Sequence, residues 1–411
     1  MMMGSSETEF SKKQRDAAES RMRGSNQAGL RAHNKRAVLS LIRRNGRLAK
    51  AEIARRTGLS PQTASVIMRA LEAEELVLRD QPQRGRVGQP SIPMRLNPDG
   101  AYSLGLKIGR RSVDLVLMDF TGRIRGHERI PYPFPRVREV LDFVAVAEPK
   151  LRALLPGKLD RRITGLGVAL PYELWSWADE VGAPAGVMED WRGLDIQAAL
   201  AVATDLPVNV ANDATAACAA ENVFGSGRSA DFVYFFVGAF VGGGIVMNGD
   251  LVSGRLGNAG AIGSMPVPRE EGGAAQLINF ASLHLLEKAY EAEGGDGLAL
   301  WRGKVPWDSF GHLLDRWLDK AAYGLAHAIV SAASVYDFEG AVIDGRFPST
   351  VRQQLVERTE AALQRINRQG VSPVTVRPGT IGADAREIGS ASLPFFAHYL
   401  LDHRVFLTEP D

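Results

Sequence analysis

The sequence predicts a two-part chain, with a small, mainly helical domain in front of a larger α/β region. Three observations support this organisation. The 411 residues exceed the ~100–200 residues of one typical domain. The charge changes sign along the chain, since residues 1–100 hold 19 Lys+Arg against 10 Asp+Glu, whereas residues 101–411 hold 30 against 37. Helical spacing is clearest in the first part, and short apolar strands alternate with helices in the second.

The composition excludes several classes of protein. Hydrophobic residues make up 45% of the chain, charged residues 23% and aromatic residues 7%, which excludes global disorder, a collagen-like fibre and a coiled-coil rod. The single cysteine, Cys218, excludes an intramolecular disulfide and a multi-cysteine metal site. No apolar run approaches the ~20 residues of a membrane helix, and the N-terminus lacks a hydrophobic signal segment. We therefore expect a cytoplasmic protein without a membrane partner.

The excess of positive charge in the first hundred residues indicates a nucleic-acid partner, because neutralisation of phosphates supplies much of the affinity of proteins for DNA. A basic surface that only faces solvent is the alternative. Residues 1–29 are polar and poor in apolar side chains, so we expect a flexible basic leader there. A helix is predicted from Leu30 to Arg44 and should end at Asn45–Gly46.

A helix-turn-helix motif is predicted between Leu48 and Val77. Its first helix should end at Gly58, after which Ser60 caps the second helix and Pro61 occupies its first turn. The residues of the second helix predicted to be buried are Val66, Ile67, Ala70 and Leu71. Those predicted to reach base edges or phosphates are Gln62, Thr63, Ser65 and Arg69.

A basic hairpin is predicted to follow the second helix. Its tip contains Arg84, Gly85, Arg86 and Gly88, between two short strands. Such a tip is typical of the wing of a winged helix-turn-helix, so residues 30–97 are predicted to form a DNA-binding domain in which Arg84 and Arg86 contact DNA. A three-helix bundle used for protein contacts is the alternative. Turn-forming residues at Asn97–Gly100 indicate a linker.

Beyond the linker, the pattern predicts a sheet-and-helix unit that occurs in two similar halves. The first half should open with a meander of strands at Tyr102–Ile108, Val113–Asp119 and Ile124–Ile130. In the second half, Phe232–Gly238 and Gly244–Met247 are predicted to be strands around a glycine-rich turn. The opening meander favours this arrangement over a βα barrel, whose strands and helices would alternate throughout.

Three segments, together with the winged helix-turn-helix, resemble the ROK family of bacterial transcriptional repressors and sugar kinases. The segments are Ile163–Pro171, Val208–Gly225 and Gly242–Val267. The resemblance implies that residues 98–411 form an α/β, two-lobed, actin-like (RNase H-like) domain that senses a sugar and provides oligomer contacts. The lobes would comprise residues 101–207 with 386–411, and residues 208–385. In the family's kinases a sugar binds between the lobes, with ATP beside it.

The resemblance also shows that the first phosphate loop is altered in this chain. In the kinases this loop has the pattern Asp-x-Gly-Gly-Thr, in which the acid lies near the metal and the small residues let the backbone approach phosphate. Here Lys107 replaces the acid, and Arg110 and Arg111 replace the glycine and the threonine. We therefore expect neither kinase activity nor a cofactor. The later run Gly242–Gly244 is retained, but positive φ at a strand turn would also explain it.

The family's Asn-Asp pair is present as Asn212 and Asp213. In the kinases this aspartate is the base that deprotonates the sugar, so the resemblance implies that Asp213 binds a ligand hydroxyl here without reaction. Capping of the following helix by Asp213 is the alternative. Ala261 and Ser264 replace a glutamate and a histidine of the family's sugar and metal sites, and no cysteine follows, so no metal is expected. Asn212, Asp213 and Ser264 are the candidate effector-binding residues.

The aromatic residues Trp175, Trp177 and Trp191 follow the first of these segments. They are interpreted as core residues, with a stacking platform for a sugar as the alternative.

Taken together, these features predict a transcriptional repressor of carbohydrate uptake or catabolism genes. It should bind double-stranded operator DNA as a homodimer or homotetramer, and its degenerate kinase-like domain should sense a carbohydrate. Two alternatives remain open: an active sugar kinase with an appended DNA-binding domain, and a regulator with a decayed ligand site that responds to a protein partner.

Overall fold

A computed structural model describes residues 29–401 except for 82–91, 228, 256 and 304. The chain divides into two compact units. The first comprises the residues up to Gly100 together with Tyr399–Leu401, and the second runs from Ala101 to His398. No helix among the described residues is long and apolar enough to cross a membrane. Residues 1–28 of the expected leader and the predicted wing tip lie outside the described residues.

The described part of the first unit has three helices and a small antiparallel sheet of order β1-β3-β2. Its elements are α1 (residues 29–45), β1 (Arg47–Leu48), α2 (Lys50–Thr57), α3 (Pro61–Ala73), β2 (Val77–Arg79) and β3 (Met94–Leu96). Gly58 ends α2 in the left-handed region with φ 69°, as predicted. Ser60 caps α3 by accepting a hydrogen bond from the Thr63 amide at 3.1 Å, and Pro61 follows it, which confirms the predicted helix start.

The buried face of α3 differs in part from the prediction. The buried residues are Ala64, Ile67, Met68 and Leu71, which lie at the i, i+3, i+4 and i+7 positions of one helix face. Val66 was predicted to be buried but is 52% exposed, because it lies on the opposite face. Ala70 is half-buried. The buried face of α3 is therefore rotated about the helix axis relative to the predicted face.

The second unit contains two five-stranded sheets and the helices that cover them. The elements of its first half are β4 (Tyr102–Ile108), β5 (Ser112–Asp119), β6 (Ile124–Pro131), α4 (Val137–Arg152), β7 (Ile163–Leu170), α5 (Ala178–Val181), α6 (Ile196–Ala201), β8 (Val208–Asn212) and α7 (Asp213–Phe224). Those of its second half are β9 (Phe232–Val237), β10 (Val241–Met247), β11 (Asp250–Leu251), β12 (Pro266–Pro268), β13 (Ala274–Gln276), α8 (Ile278–Ala281), α9 (Leu283–Ala292), α10 (Gly297–Arg302), α11 (Gly311–Val335), β14 (Gly340–Gly345), α12 (Ser349–Leu363), β15 (Thr375–Pro378) and α13 (Ala385–His398).

The two sheets share one topology, with the orders β6-β5-β4-β7-β8 and β11-β10-β9-β14-β15. In each sheet the first three strands are antiparallel and the last two are parallel. This repetition confirms the predicted two similar halves and the actin-like, RNase H-like fold. β8 pairs with β7, so the first sheet extends to Asn212 and not only to residue 207.

Helix α13 lies close against the first sheet, although it is the last helix in the chain. The approach depends on glycine, because a Cβ atom at Gly167 would lie 1.8 Å from the carbonyl oxygen of Ser390. A Cβ atom at Gly105 would likewise lie 2.5 Å from the amide nitrogen of Ala391. This packing brings Arg386, at the start of α13, next to the end of β8.

The glycine run Gly242–Gly244 lies within β10 and not in a turn, so the prediction of a glycine-rich turn was wrong. None of the three glycines has a positive φ. A Cβ atom at Gly243 would lie 2.1 Å from the carbonyl oxygen of Tyr234, and one at Gly244 would lie 2.5 Å from the Cβ atom of Cys218. Close packing of strand on strand and of strand on α7 therefore explains these glycines.

Candidate functional sites

The exposed face of α3 carries the side chains that could read DNA. Gln62, Ser65, Val66 and Arg69 occupy the i, i+3, i+4 and i+7 positions of one face, which we call the recognition face. Gln62, Val66 and Arg69 are exposed and Ser65 is half-buried. Thr63 is also exposed beside this face, although its hydroxyl lies 2.8 Å from that of Ser60. The structure thus brings Gln62, Ser65 and Arg69 to one face of α3, with Thr63 beside it.

Val66 is a candidate contact that the sequence analysis missed. An exposed apolar side chain on a recognition helix can contact the methyl group of thymine. Its spacing of four residues from Gln62 would have placed it on the polar face, but its apolar character favoured the core in the prediction.

Among the described residues, several arginines of the first unit form ion pairs with glutamates, whereas Arg69 does not. Arg55 and Arg56 both bind Glu52, and Arg79 binds Glu72 at 2.6 Å. A hydrogen bond from Arg55, and a smaller effect of the hydrogen bond from Arg56, lower the pKa of Glu52 to about 2. Arg69 forms no ion pair with any described residue, and its Nε donates to the Ser65 carbonyl oxygen at 3.3 Å. Its charge therefore remains available to phosphate or guanine.

A cavity of about 270 Å³ lies in the second unit, next to the N-terminal end of α7. Its walls come from the β4–β5 turn, the segment after β7, the start of α7, β10, the loop at 258–264 and α13. The three residues predicted to bind an effector, Asn212, Asp213 and Ser264, all line this cavity. Residues that are far apart in the chain thus meet at one site.

Asn212 and Asp213 have different roles at the start of α7. Asn212 is the N-cap, because its Oδ1 accepts hydrogen bonds from the amides of Ala214 at 3.0 Å and Thr215 at 3.1 Å. The alternative that Asp213 caps α7 was therefore wrong. Asp213 is 6% exposed, and its Oδ2 accepts a hydrogen bond from Nη1 of Arg386 at 3.1 Å. Its other carboxylate oxygen accepts no hydrogen bond from the described residues, so it is available to a ligand hydroxyl.

Two arginines of the cavity were not predicted to contribute to a binding site. The guanidinium carbon of Arg110 lies 4.4 Å from the ring centre of Phe240 and 5.4 Å from that of Trp177. Arg386 is 7% exposed, and its guanidinium carbon lies 4.7 Å from the ring centre of Phe236. Burial lowers the pKa of Arg110 to about 10, although the charge of Asp213 opposes this shift. Arg110 therefore remains cationic at neutral pH.

The other two cations of the altered phosphate loop are bound elsewhere. Lys107 is 1% exposed, and its Nζ donates to Oδ2 of Asp114 and to the hydroxyl of Ser112, both at 2.8 Å. Burial lowers the pKa of Lys107, and Asp114 opposes the shift. Arg111 forms an ion pair with Glu287 at 3.0 Å. Of the three cations in this loop, Arg110 is the one that lines the cavity.

The three tryptophans lie in different environments. Trp177 lines the cavity and meets the Phe240 ring edge-on, with 5.1 Å between ring centres. Trp191 is a core residue, as interpreted, and its Nε1 donates to the Pro135 carbonyl oxygen at 3.1 Å. Trp175 is half-buried against the core. Among the described residues, no group of three or more His, Cys, Asp and Glu side chains is arranged to hold a metal ion.

Comparison with known protein families gives two matches. The model of the ROK family matches residues 103–394, and a model described as winged helix-turn-helix DNA-binding matches residues 31–77. Together these matches cover both units of the chain.

Individual relatives are distant in sequence. The chain is 26% identical to the uncharacterized protein y4fQ of Sinorhizobium fredii, over 88% of this chain and 91% of that protein. It is 23% identical to the xylose repressor of Bacillus subtilis and 25% identical to the DNA-binding transcriptional dual regulator NagC of Escherichia coli, each over 57% of this chain. The alignments cover 60% of the xylose repressor and 57% of NagC.

Two solved structures share the fold. A ROK family transcriptional regulator, a homolog of the E. coli MLC protein, superposes with a TM-score of 0.62 at 19% identity, over 90% of this chain and 96% of that one. A ROK family glucokinase from Streptomyces griseus superposes with a TM-score of 0.56 at 19% identity, over 71% of this chain and 99% of the kinase. The chain therefore belongs to the ROK family, as a transcriptional regulator that joins a winged helix-turn-helix DNA-binding domain to a ROK domain.

Proposed function

We propose that the protein is a cytoplasmic repressor of genes for carbohydrate uptake or catabolism. The observation that carries this proposal is the presence, in one chain, of a recognition face and a cavity. Arg69 on that face forms no ion pair with the described residues, and in the cavity one carboxylate oxygen of Asp213 accepts no hydrogen bond from them. The xylose repressors and NagC, which are regulators, support it at the level of the family.

The recognition face defines how operator DNA would be bound. A recognition helix lies in the major groove, with its N-terminal residues next to base edges. Gln62 and Arg69 have the hydrogen-bonding groups that read adenine and guanine, and Val66 adds an apolar contact for thymine. A homodimer or homotetramer would place two such helices on two half-sites, which raises both affinity and specificity.

The cavity defines how a carbohydrate would be sensed. A carboxylate hydrogen-bonded to a hydroxyl gives a short, charge-assisted contact, and Asp213 has the oxygen for it. Asn212, which caps α7, holds the adjoining backbone in place. Ser264 is exposed at the cavity wall and can donate or accept a further hydrogen bond.

We also propose that the ROK domain does not phosphorylate its ligand. The kinase alternative is supported by the similarity to the bifunctional enzyme NanE/NanK of Brucella suis, at 28% identity over 62% of this chain and 53% of that enzyme. However, Arg110 stacks on Trp177 and Phe240 at the altered phosphate loop, and Lys107 is held inside the protein by Asp114. Phosphoryl transfer depends mainly on positioning and on neutralisation of phosphate charge by metal ions, for which this loop lacks the acid.

The test uses purified full-length protein and the DNA upstream of its own gene. Fluorescence anisotropy should show tighter binding to this DNA than to a random duplex of equal length, and a sugar should release the specific complex. Equal affinity for both duplexes would contradict operator recognition. A coupled ATPase assay with the same sugars should show no turnover, and turnover with any of them would make the protein a kinase.

A further inference from the structure

We propose that the effector is an anionic monosaccharide, a sugar with a carboxylate or phosphate group, and that Arg110 and Arg386 bind that group. This inference rests on the proposed function, because it specifies the effector of the same cavity. The sequence directed attention to the hydroxyl-binding residues Asn212, Asp213 and Ser264, whereas the structure adds two cations to them.

In the described part of the chain, the charged side chains that line the cavity are equal in number, two arginines and two carboxylates, but they do not all form pairs. Two arginines line it, but the buried carboxylate available to them is Asp213, which accepts its hydrogen bond from Arg386. Glu173 also lines the cavity, but its side chain is exposed to solvent. Glu180 acts on Arg110 electrostatically, more weakly than Asp213 does, and forms no ion pair with it. Arg110 is therefore a cation of the cavity without a bonded counter-ion among the described residues.

The hydrogen-bonding capacity of both arginines is also unfilled. The Nε atoms of Arg110 and Arg386 are buried and have no hydrogen-bond partner in the part of the chain that the structure describes. An unpartnered N–H of a buried cation is costly, because burial removes water without a replacement. The aromatic rings beside the guanidinium groups offset part of that cost through cation–π contacts, but they supply no acceptor. A ligand cannot reach these buried Nε atoms, but an anionic ligand in the cavity would supply acceptors for the Nη groups of Arg110, which form no hydrogen bond with the described residues.

The chemistry of guanidinium favours one class of ligand. Its planar set of N–H groups matches the paired oxygens of a carboxylate or a phosphate. The rings of Phe236, Phe240 and Trp177 restrict the two guanidinium groups, so less rotational freedom is lost on binding. A neutral sugar would offer Arg110 only hydroxyl and ring oxygens as acceptors, whereas an anionic sugar would also supply a counter-charge.

The remaining features of the cavity fit a single sugar ring. Its volume of about 270 Å³ lies just below the ~300–1,000 Å³ of sites for drug-sized ligands, which favours a monosaccharide over an oligosaccharide or a nucleotide. Oδ1 of Asp213, which accepts no hydrogen bond from the described residues, can accept one from a ring hydroxyl. Trp177 provides an aromatic wall next to Arg110.

The experiment compares matched sugars on the full-length protein by calorimetry and thermal shift. The first series is D-glucose, D-glucuronate and D-glucose 6-phosphate, and the second is the same set with the galacto configuration. We expect at least one anionic member to bind, and its neutral counterpart to bind at least tenfold more weakly. Comparison of uronate with sugar phosphate identifies the anionic group.

The variant that tests the contact is Arg110→Gln, since Arg110 has no hydrogen bond or ion pair to lose among the described residues. It should weaken binding of the anionic sugar roughly tenfold or more, as expected for the loss of a charge-assisted hydrogen bond. The matched control is Arg138→Gln, which removes the same charge from a side chain that is 91% exposed on α4. It should change the affinity less than twofold. If Arg110→Gln does not fold, Arg110→Lys keeps the charge and should still weaken binding severalfold, because the planar donor pair is lost.

Each contrary result has a defined meaning. Neutral sugars that bind as tightly as their anionic counterparts would overturn this inference and leave the proposed carbohydrate sensing intact. Unchanged affinity for the anionic sugar in Arg110→Gln would also overturn it. If no member of either series binds, the inference fails together with carbohydrate sensing in this cavity. Specific binding of operator DNA is measured separately by the anisotropy assay and does not depend on this result.

Discussion

Asp213 shows how one residue links the cavity to stability. Asp213→Asn keeps the shape of the side chain, and the amide oxygen can still accept a hydrogen bond from Arg386. The negative charge is lost, however, from a pair whose members are 6% and 7% exposed. We expect a loss of about 1–3 kcal/mol in stability, a lower melting temperature and no ligand-dependent release of DNA.

Operator binding without ligand should persist in this variant, because Asp213 lies outside the DNA-binding unit. Asp190→Asn, an exposed carboxylate on the same half of the ROK domain, is the control and should change neither property. A full response to ligand in Asp213→Asn would move the sensing site away from this cavity.

Val66 and Ile67 are neighbours in the chain with opposite environments, so they give a paired prediction. Val66→Ala should leave the melting temperature nearly unchanged, because the side chain is 52% exposed, and should lower affinity for operator DNA if a thymine methyl group is contacted. Ile67→Ala should destabilise the DNA-binding unit by about 2–5 kcal/mol, because Ile67 is 7% exposed. Equal destabilisation by both substitutions would contradict the rotated face of α3.

At the scale of elements, the start of α9 supports the cavity wall through a buried histidine. Nδ1 of His284 donates to the Ala239 carbonyl oxygen at 3.1 Å, and its ring packs against Phe240 with 4.7 Å between centres. Burial lowers the pKa of His284 from 6.5 to about 4. Between these values the unfolded chain binds a proton that the folded protein excludes, so stability must fall as the pH drops from 6.5 towards 4.

The shift corresponds to roughly 3 kcal/mol at ~1.4 kcal/mol per pKa unit. Thermal melts of His284→Gln between pH 7 and pH 4 should show a shallower decline than those of the parent protein. His312→Gln alters an exposed histidine on α11 and should retain the full decline. Identical pH profiles for His284→Gln and the parent would show that His284 does not cause this loss of stability.

The predicted wing tip is a second part of the chain whose function can be isolated. Replacement of both Arg84 and Arg86 by Ala should weaken binding to operator and random duplexes alike, since phosphate and minor-groove contacts carry little sequence information. The dependence of log affinity on log salt should flatten by up to ~0.9 per lost contact. Gln62→Ala should instead cost affinity mainly on the operator. Unchanged salt dependence in the double variant would remove the wing tip from the interface.

At the scale of the whole molecule, the predicted oligomer fixes the spacing of the operator. Two recognition helices in a symmetric dimer meet half-sites one helical turn apart, ~10–10.5 base pairs, or a multiple of this distance. Light scattering should therefore show a dimer or tetramer. Insertion of about five base pairs between the half-sites should weaken binding at least tenfold, because it turns one half-site to the opposite side of the duplex. A ten-base-pair insertion is the control for added length.

The sequence by itself determined the features that depend on neighbours in the chain. Gly58, Ser60 and Pro61 fix the turn between α2 and α3, because left-handed backbone, capping and restricted φ are local properties. The meander of β4, β5 and β6 was also predictable, since strand periodicity and tight turns act over a few residues.

The tertiary structure decided the contacts between distant residues. Arg386 follows Asp213 by 173 residues, and they meet because α13 returns to the first sheet over Gly105 and Gly167. Arg110 lines the cavity, whereas Lys107, three residues earlier in β4, lies in the core beside Asp114 of the neighbouring strand. Local patterns carry no information about such pairs, because sheet order and helix return bring them together. Asn212, Asp213 and Ser264 could therefore be named from sequence as residues of one site, whereas Arg110 and Arg386 were recognised as part of its lining only from the fold.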